Sequence, residues 1–192
     1  MPDLSKFQLD LNRSLLLVID IQERLVPAMP QKVYGRMRKT VEMLMAAAEH
    51  LDLPLLTTEQ YPQGIGHTVS DLSELCQRGA VIEKVSFGCC GEPAFIDAIK
   101  QHGRSQVIVT GMEAHVCVYQ TVIGLLEQGY QVHLVKDAIC SRNKQDFLAG
   151  VACAERAGAV VVTAEMVLFQ LLKESTHPVF KSVSKLVKQR GE

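Results

Sequence analysis

Residues 14–22 read Ser14-Leu15-Leu16-Leu17-Val18-Ile19-Asp20-Ile21-Gln22. An unbroken apolar run, with no alternation between polar and apolar positions, predicts a strand covered on both faces, as in parallel sheets flanked by helices. Five further β-rich runs have the same character, at residues 53–58, 80–84, 106–111, 131–136 and 159–163. Between them lie segments of helical period. Residues 33–50 place Met37, Val41, Leu44, Met45 and Ala48 on one face, and further helices are predicted at 92–102, 116–128, 144–157, 165–173 and 177–189. Gly103, Gly129 and Gly158 follow three of them, where a helix C-terminus favours glycine. Strand–helix alternation joined by short turns predicts an α/β fold, a three-layer α/β/α sandwich around a mostly parallel sheet, with residues 1–192 as a single domain. Residues 59–79 are the exception, a long predicted loop containing Pro62, Gly64 and Gly66, of the kind that forms a lid, a pocket wall or a subunit contact.

Composition narrows the function classes. The 192 residues carry 20 Lys+Arg against 21 Asp+Glu, a net charge of -1, with 47% hydrophobic and 21% charged residues. A balance so close to neutral has no electrostatic footprint for nucleic acid or an anionic membrane. No apolar stretch approaches the ~18–20 residues of a membrane span. The opening MPDLSKFQLDLNRS has no apolar core of a secretory signal, so a cytoplasmic protein is expected. Six cysteines (76, 89, 90, 117, 140 and 153) show no zinc-site spacing and read first as small buried hydrophobes in a reducing compartment.

In open α/β sheets ligands bind beyond the carboxyl ends of the strands. There the first strand ends at Asp20, the third at Glu83-Lys84, and the fourth runs through Thr110-Gly111-Met112-Glu113-Ala114-His115-Val116 to Cys117 at the start of a helix. Convergence of Asp, Lys and Cys in one crevice makes coherent chemistry. A helix N-terminus and a neighbouring ammonium are expected to lower the thiol pKa. Asp20 would act as general acid/base, Lys84 would keep it charged and oriented, and backbone N–H groups of residues 111–117 would form an oxyanion hole. Taken singly, each residue also reads as a cap, a surface ion pair or a core thiol.

Three blocks, LLLVIDIQERL (15–25), VIEKVSFG (81–88) and VTGMEAHVCV (109–118), resemble in order and spacing those of the isochorismatase-like cysteine hydrolases. The resemblance covers nearly the whole chain and implies a Rossmann-like six-stranded sheet. By position, Asp20 resembles the family's acid/base, Lys84 its activating lysine and Cys117 its nucleophile. A cis peptide is implied at Met112–Glu113, aiming the Glu113 N–H, with that of Cys117, at the substrate oxygen. Gln22 and Phe87 resemble pocket-wall positions; Gln60, His115 and Tyr119 lie where pocket loops are expected. A homo-oligomer is also implied.

Nicotinamidases of the family bind a metal through Asp-x-His after the second strand. Here the stretch is Thr57-Thr58-Glu59-Gln60-Tyr61-Pro62, with only His67 downstream, so neither a metal nor another cofactor is expected. TEQYPQGIG with GMEAHVCV instead resembles the isochorismatase domain-containing group. Vinyl-ether hydrolysis, the reaction behind the family name, does not require a cysteine. The Asp-Lys-Cys set points to attack on a carbonyl carbon: a hydrolase of small amide-like or carbamoyl substrates, acting through a thioester. Two alternatives remain open, a non-catalytic oligomeric binding scaffold and a thiol redox protein using Cys117 with Cys89 or Cys90. Cys76, Cys140 and Cys153 read as core, His67 and Tyr61 as gating or exposed loop residues, and Arg142 as a surface ion pair or a contact for an anionic group. The basic C-terminal segment (Lys181, Lys185, Lys188 and Arg190) reads as an amphipathic helix packed on the body or on a neighbouring subunit.

Overall fold

A computed structural model describes residues 4–191. Six strands form one parallel sheet: β1 (Ser14–Ile19), β2 (Leu55–Gln60), β3 (Ala80–Lys84), β4 (Gln106–Met112), β5 (Gln131–Cys140) and β6 (Val160–Val162), in the spatial order β3-β2-β1-β4-β5-β6. The helices are α1 (Gln31–His50), α2 (Pro62–Ile65), α3 (Ser70–Cys76), α4 (Pro93–Gln101), α5 (Tyr119–Glu127), α6 (Lys144–Ala157), α7 (Ala164–Leu172) and α8 (Phe180–Arg190).

Why the first strand has no polar alternation is now visible. Successive side chains of a strand point to opposite faces. Leu16 and Val18 enter a core with Met37, Val41 and Leu44 of α1, Leu168 and Leu171 of α7 and Val183 of α8. Leu15, Leu17 and Ile19 enter a second core with Phe95 and Ile99 of α4, Val122 and Leu125 of α5 and Val151 and Ala154 of α6. Both faces of the sheet are therefore buried, as three layers require. β1 lies between β2 and β4, so the strand order reverses beside it, and the crevice at such a switch point is where ligands of open α/β sheets sit.

Several boundaries differ from those expected. β2 starts after Pro54 and runs to Gln60, two residues beyond the apolar run, because Glu59 and Gln60 pair with Glu83 and Lys84 of β3. β5 extends past Lys136 to Cys140: its ladder with β4 shifts register between Val109 and Gly111, then resumes with Gly111 opposite Ile139. Gly111 has φ +117°, and a Cβ there would lie 2.1 Å from the Ile19 carbonyl oxygen, so only glycine lets β4 pass β1 at this height. β6 is shorter than expected, since Thr163 leaves it to accept from the Met166 N–H as the cap of α7. Residues 59–79 are not an open loop but hold the end of β2 and helices α2 and α3. The helix expected at 116–128 divides into a π-helical turn, Ala114–Val118, and α5, while the last helix starts at Phe180 rather than residue 177. Cys153, expected in the core, is exposed, because α6 turns Gly150, Val151 and Ala154 inward instead. Among the described residues, no helix is long and apolar enough to cross a membrane.

Candidate active site

Asp20 is the residue at which the chain leaves β1. It adopts φ +51°, a left-handed conformation costing roughly 1–2 kcal/mol that Asp tolerates better than most residues. Its N–H donates to the Thr58 carbonyl (3.1 Å), so the turn stays tied to β2. The side chain is fully buried and meets the equally buried Lys84 ammonium, Oδ2 to Nζ 2.7 Å. Desolvating two charges is costly unless their remaining hydrogen-bonding capacity is filled. Here it is filled: Thr58 donates its hydroxyl to Asp20 Oδ1 (2.7 Å). Lys84 Nζ also donates to Gln60 Oε1 (2.8 Å) and to the carbonyls of Phe87 (2.9 Å) and Ser86 (3.2 Å). With its protons so committed, Lys84 is a fixed positive charge rather than a mobile proton source.

Cys117 completes the cluster from the π-helical turn, and only 6% of it is exposed. Its thiol lies close enough to Asp20 and Lys84 to feel both charges. The expectation of a lowered pKa is overturned. Burial pushes the Cys117 thiol well above the usual cysteine range, the Asp20 charge adds to this, and Lys84 offsets only part of it. The turn is anchored through α5, where Thr121 donates to the Cys117 carbonyl (2.6 Å) and its hydroxyl accepts the Cys89 N–H (3.0 Å). Cys89 is fully buried in a single 3-10 turn (Cys89–Gly91). Its thiol is pushed up to about 12, first by burial and then by the nearby Asp20 charge.

The peptide between Met112 and Glu113 is cis. The Glu113 carboxylate points to the segment after β5, where Oε2 accepts the Arg142 N–H (3.0 Å) and lies 3.6 Å from Arg142 Nε. It is thus the backbone of Glu113, not its side chain, that lies beside the Cys117 turn.

The remaining expected pocket residues divide. Gln60 holds Lys84 directly. Gln22 is buried, but its amide is occupied: Nε2 donates to the carbonyls of Gln60 (2.9 Å) and Gly66 (2.5 Å), and Oε1 accepts the Gln60 N–H (2.7 Å). It clamps residues 60–66 onto β1 instead of presenting a free amide to a ligand. His115 turns toward β5 and α6, with Nδ1 3.0 Å from Ser141 Oγ and Nε2 3.9 Å from Asp146. Phe87 is 57% exposed and contributes its carbonyl to Lys84, while Tyr119 is half-buried at the start of α5. Beside the clamp, buried Glu59 accepts from the Thr68 N–H (2.6 Å) and hydroxyl (2.7 Å), and its other oxygen lies 2.9 Å from His67 Nδ1. Among the described residues, no three His, Cys, Asp or Glu side chains gather closely enough to hold a metal ion.

Thr58 and Thr121 were not singled out in the sequence. A Thr in a strand reads as β-propensity and a Thr in a helix as a neutral filler. The signal that places Thr58 is register, since it pairs with Ile19, one residue before Asp20.

The isochorismatase domain model matches residues 14–166. The chain belongs to the isochorismatase family. It is 34% identical over 181 residues to isochorismatase domain-containing protein 2A of Mus musculus, covering 92% of this chain and 83% of the mouse protein. Among solved structures it is similar to the MAR1 ribonuclease of Caenorhabditis elegans, with TM-score 0.88 and 38% identity, covering 94% of this chain and 92% of the worm chain. The YcaC gene product of Escherichia coli, described as an octameric hydrolase of unknown specificity, shares the fold, with TM-score 0.85 and 21% identity over 100% of this chain and 98% of that one.

Proposed function

We propose that this member of the isochorismatase family is a cysteine hydrolase of small amide-like or carbamoyl substrates. The observation that carries the reading is the fully buried Asp20–Lys84 ion pair with the buried Cys117 thiol within the field of both charges. A buried pair of this kind is no aid to stability compared with apolar packing, so its placement against a thiol at the sheet's switch point favours a chemical role.

Because the resting thiol holds its proton, the nucleophile forms during attack. Asp20 takes the Sγ proton as sulfur bonds to the carbonyl carbon, and the oxygen develops negative charge toward the backbone N–H groups of Glu113 and Cys117. Collapse breaks the C–N bond, Asp20 returns the proton to the departing nitrogen, and a thioester remains. Asp20 then removes a proton from water, which attacks the thioester; the acid product leaves and Cys117 recovers its proton. Lys84 keeps its charge throughout and restrains Asp20.

The proposal includes assembly as a homo-oligomer. Tyr61 (54% exposed), Val85 (74%) and Phe87 (57%) leave apolar surface beside edge strand β3, the E. coli neighbour is described as octameric, and a second copy of the chain is the partner we assign to this surface. A second reading, cleavage of RNA, has one feature in its favour besides the worm protein's name: a groove between α1 and α8 lined by Lys32, Arg36, Arg38, Lys39 and Arg190, with Asp137 the only acid among the described residues that line it.

The deciding experiment incubates the wild-type chain and Cys117→Ala with a panel of small primary amides and carbamoyl compounds and, separately, with short RNA. The mass of the intact protein is followed throughout. Ammonia release by the wild type only, with an acyl adduct on Cys117, is the expected result. RNA cleavage that survives Cys117→Ala, with no amide turned over, would sink the hydrolase reading.

A further inference from the structure

We infer that Thr58 is a positioning residue for the proton transfers of Asp20, holding the carboxylate so that it faces Cys117; this rests on the hydrolase reading above. Thr58 is fully buried in β2, and its hydroxyl is the donor to Asp20 Oδ1 at 2.7 Å, while Lys84 takes Oδ2 at the same distance. An ionised carboxylate offers only acceptors, so the single O–H of threonine is committed to it. On the other side of the hydroxyl, Cys89 Sγ lies 3.8 Å from Thr58 Oγ1, in place to donate its S–H. Cys89, Thr58 and Asp20 thus form one directed chain of donors ending on the carboxylate.

The backbone reinforces the same geometry. Thr58 pairs with Ile19 in the ladder, and its carbonyl accepts the Asp20 N–H (3.1 Å) just where Asp20 turns into its left-handed conformation. Each carboxylate oxygen is therefore held by one donor from a different strand, Thr58 of β2 for Oδ1 and Lys84 of β3 for Oδ2. That prevents rotation about the side chain's last bond and leaves free lone pairs for the Cys117 proton. Lys84 alone would restrain only one oxygen.

The titratable groups acting on Asp20 from the elements around it are Lys84 of β3, Cys117 of the π-helical turn and Cys89 of the 3-10 turn. None of them can replace the Thr58 hydroxyl, because Lys84 is saturated, Cys117 is the reaction partner and the Cys89 thiol is directed at Thr58 itself. Removing the hydroxyl leaves a buried carboxylate oxygen without its donor, which favours the protonated form.

The test needs no knowledge of the substrate. Iodoacetamide alkylates a thiol with formation of C–S, loss of iodide and release of the thiol proton, here to Asp20. The rate of Cys117 alkylation, read by peptide mass spectrometry, is measured against pH for wild type, Thr58→Val and Thr58→Ser, with thermal unfolding as the control for folding. We expect Thr58→Val to slow alkylation roughly 10–100-fold near neutral pH, less than the ~100–10,000-fold of a whole general-base contribution because Asp20 itself remains. Its acid limb should move to higher pH, and Thr58→Ser should restore both. The inference is overturned if wild type is reactive and Thr58→Val keeps its profile. It is equally overturned if Val and Ser lose rate in step with melting temperature while the limb stays in place, since that is a packing effect. A wild-type Cys117 inert at every pH defeats the hydrolase reading itself, and the role of Thr58 with it.

Discussion

Lys84 and Asp20 are each tolerable in the interior only because the other is there. Deleting one charge of a buried pair leaves its partner uncompensated, at a cost of about 3–5 kcal/mol, whereas replacing both by neutral groups is far milder. Lys84→Met keeps the length of the side chain and removes the charge. It is expected to destabilise the fold within that range and to abolish Cys117 alkylation. Asp20→Asn combined with Lys84→Met should recover most of the stability and none of the reactivity. Urea unfolding of the two single variants and the double variant checks this, and a double variant as unstable as the sum of the singles would show that the pair is not coupled. At this scale the sequence was informative about residue type and height on the sheet. Asp20, Lys84 and Cys117 were legible because Asp20 directly follows β1, Lys84 ends β3 and Cys117 lies in the turn after β4. What could not be read was the state of the thiol. Strand ends and helix starts suggest a lowered pKa, but the outcome depends on how completely Cys117 is buried and on its carboxylate neighbour, and both are tertiary facts.

The π-helical turn Ala114–Val118 sets where that thiol points, and it is held from outside by α6. A Cβ on Gly150 would lie 2.7 Å from the Ala114 carbonyl oxygen and 2.9 Å from both the Ala114 carbonyl carbon and His115 Cα. All three are backbone or backbone-attached atoms that cannot swing aside. Gly150→Ala would gain up to ~1 kcal/mol in helix propensity. Overpacking of this kind costs typically 1–3 kcal/mol, so with that gain realised in full the net expectation is a loss of up to about 2 kcal/mol. The turn should shift as a unit, slowing Cys117 alkylation more than stability alone explains. Cys153→Ser, on the exposed side of the same helix, should change neither. Denaturant unfolding paired with the alkylation rate separates the two effects; unchanged alkylation in Gly150→Ala would mean the turn does not depend on α6. Elements of this kind escaped the sequence reading for a physical reason. Continuous apolar runs announce buried strands, and helical period announces α1 or α6. A π-helical turn has no period of its own, and the late half of β5 is hidden by the polar pair Lys136-Asp137.

Across the whole molecule, one titratable ring, that of His133, is set within the parallel sheet away from the Asp20–Lys84 cluster. This side chain is fully buried in β5, where it pairs with Ile108 of β4 and Val160 of β6. Among the described residues neither ring nitrogen has a hydrogen-bond partner, although the backbone at Lys6 draws near. Burial pushes the imidazole down to about 4, the Lys6 backbone pulling weakly the other way. The consequence follows by linkage. Above the unfolded value of roughly 6.5 the ring is neutral in both states and contributes nothing to the pH dependence. Between there and about 4 the unfolded chain binds a proton that the native chain refuses, so stability falls as pH falls, by about 1.4 kcal/mol per unit. Acidification from pH 7 to 4.5 should therefore cost the wild type about 2–3 kcal/mol that a variant without the imidazole keeps. His133→Leu fills a similar volume with an apolar group, and its carboxylates titrate as in the wild type, so subtracting the two stability-versus-pH curves isolates the histidine. Urea unfolding at half-unit steps across that range should show the variant gaining on the wild type by that amount as pH falls. Parallel curves would mean that the ring finds a partner or a route to water when it is protonated, and that the sheet centre is less closed than its packing implies.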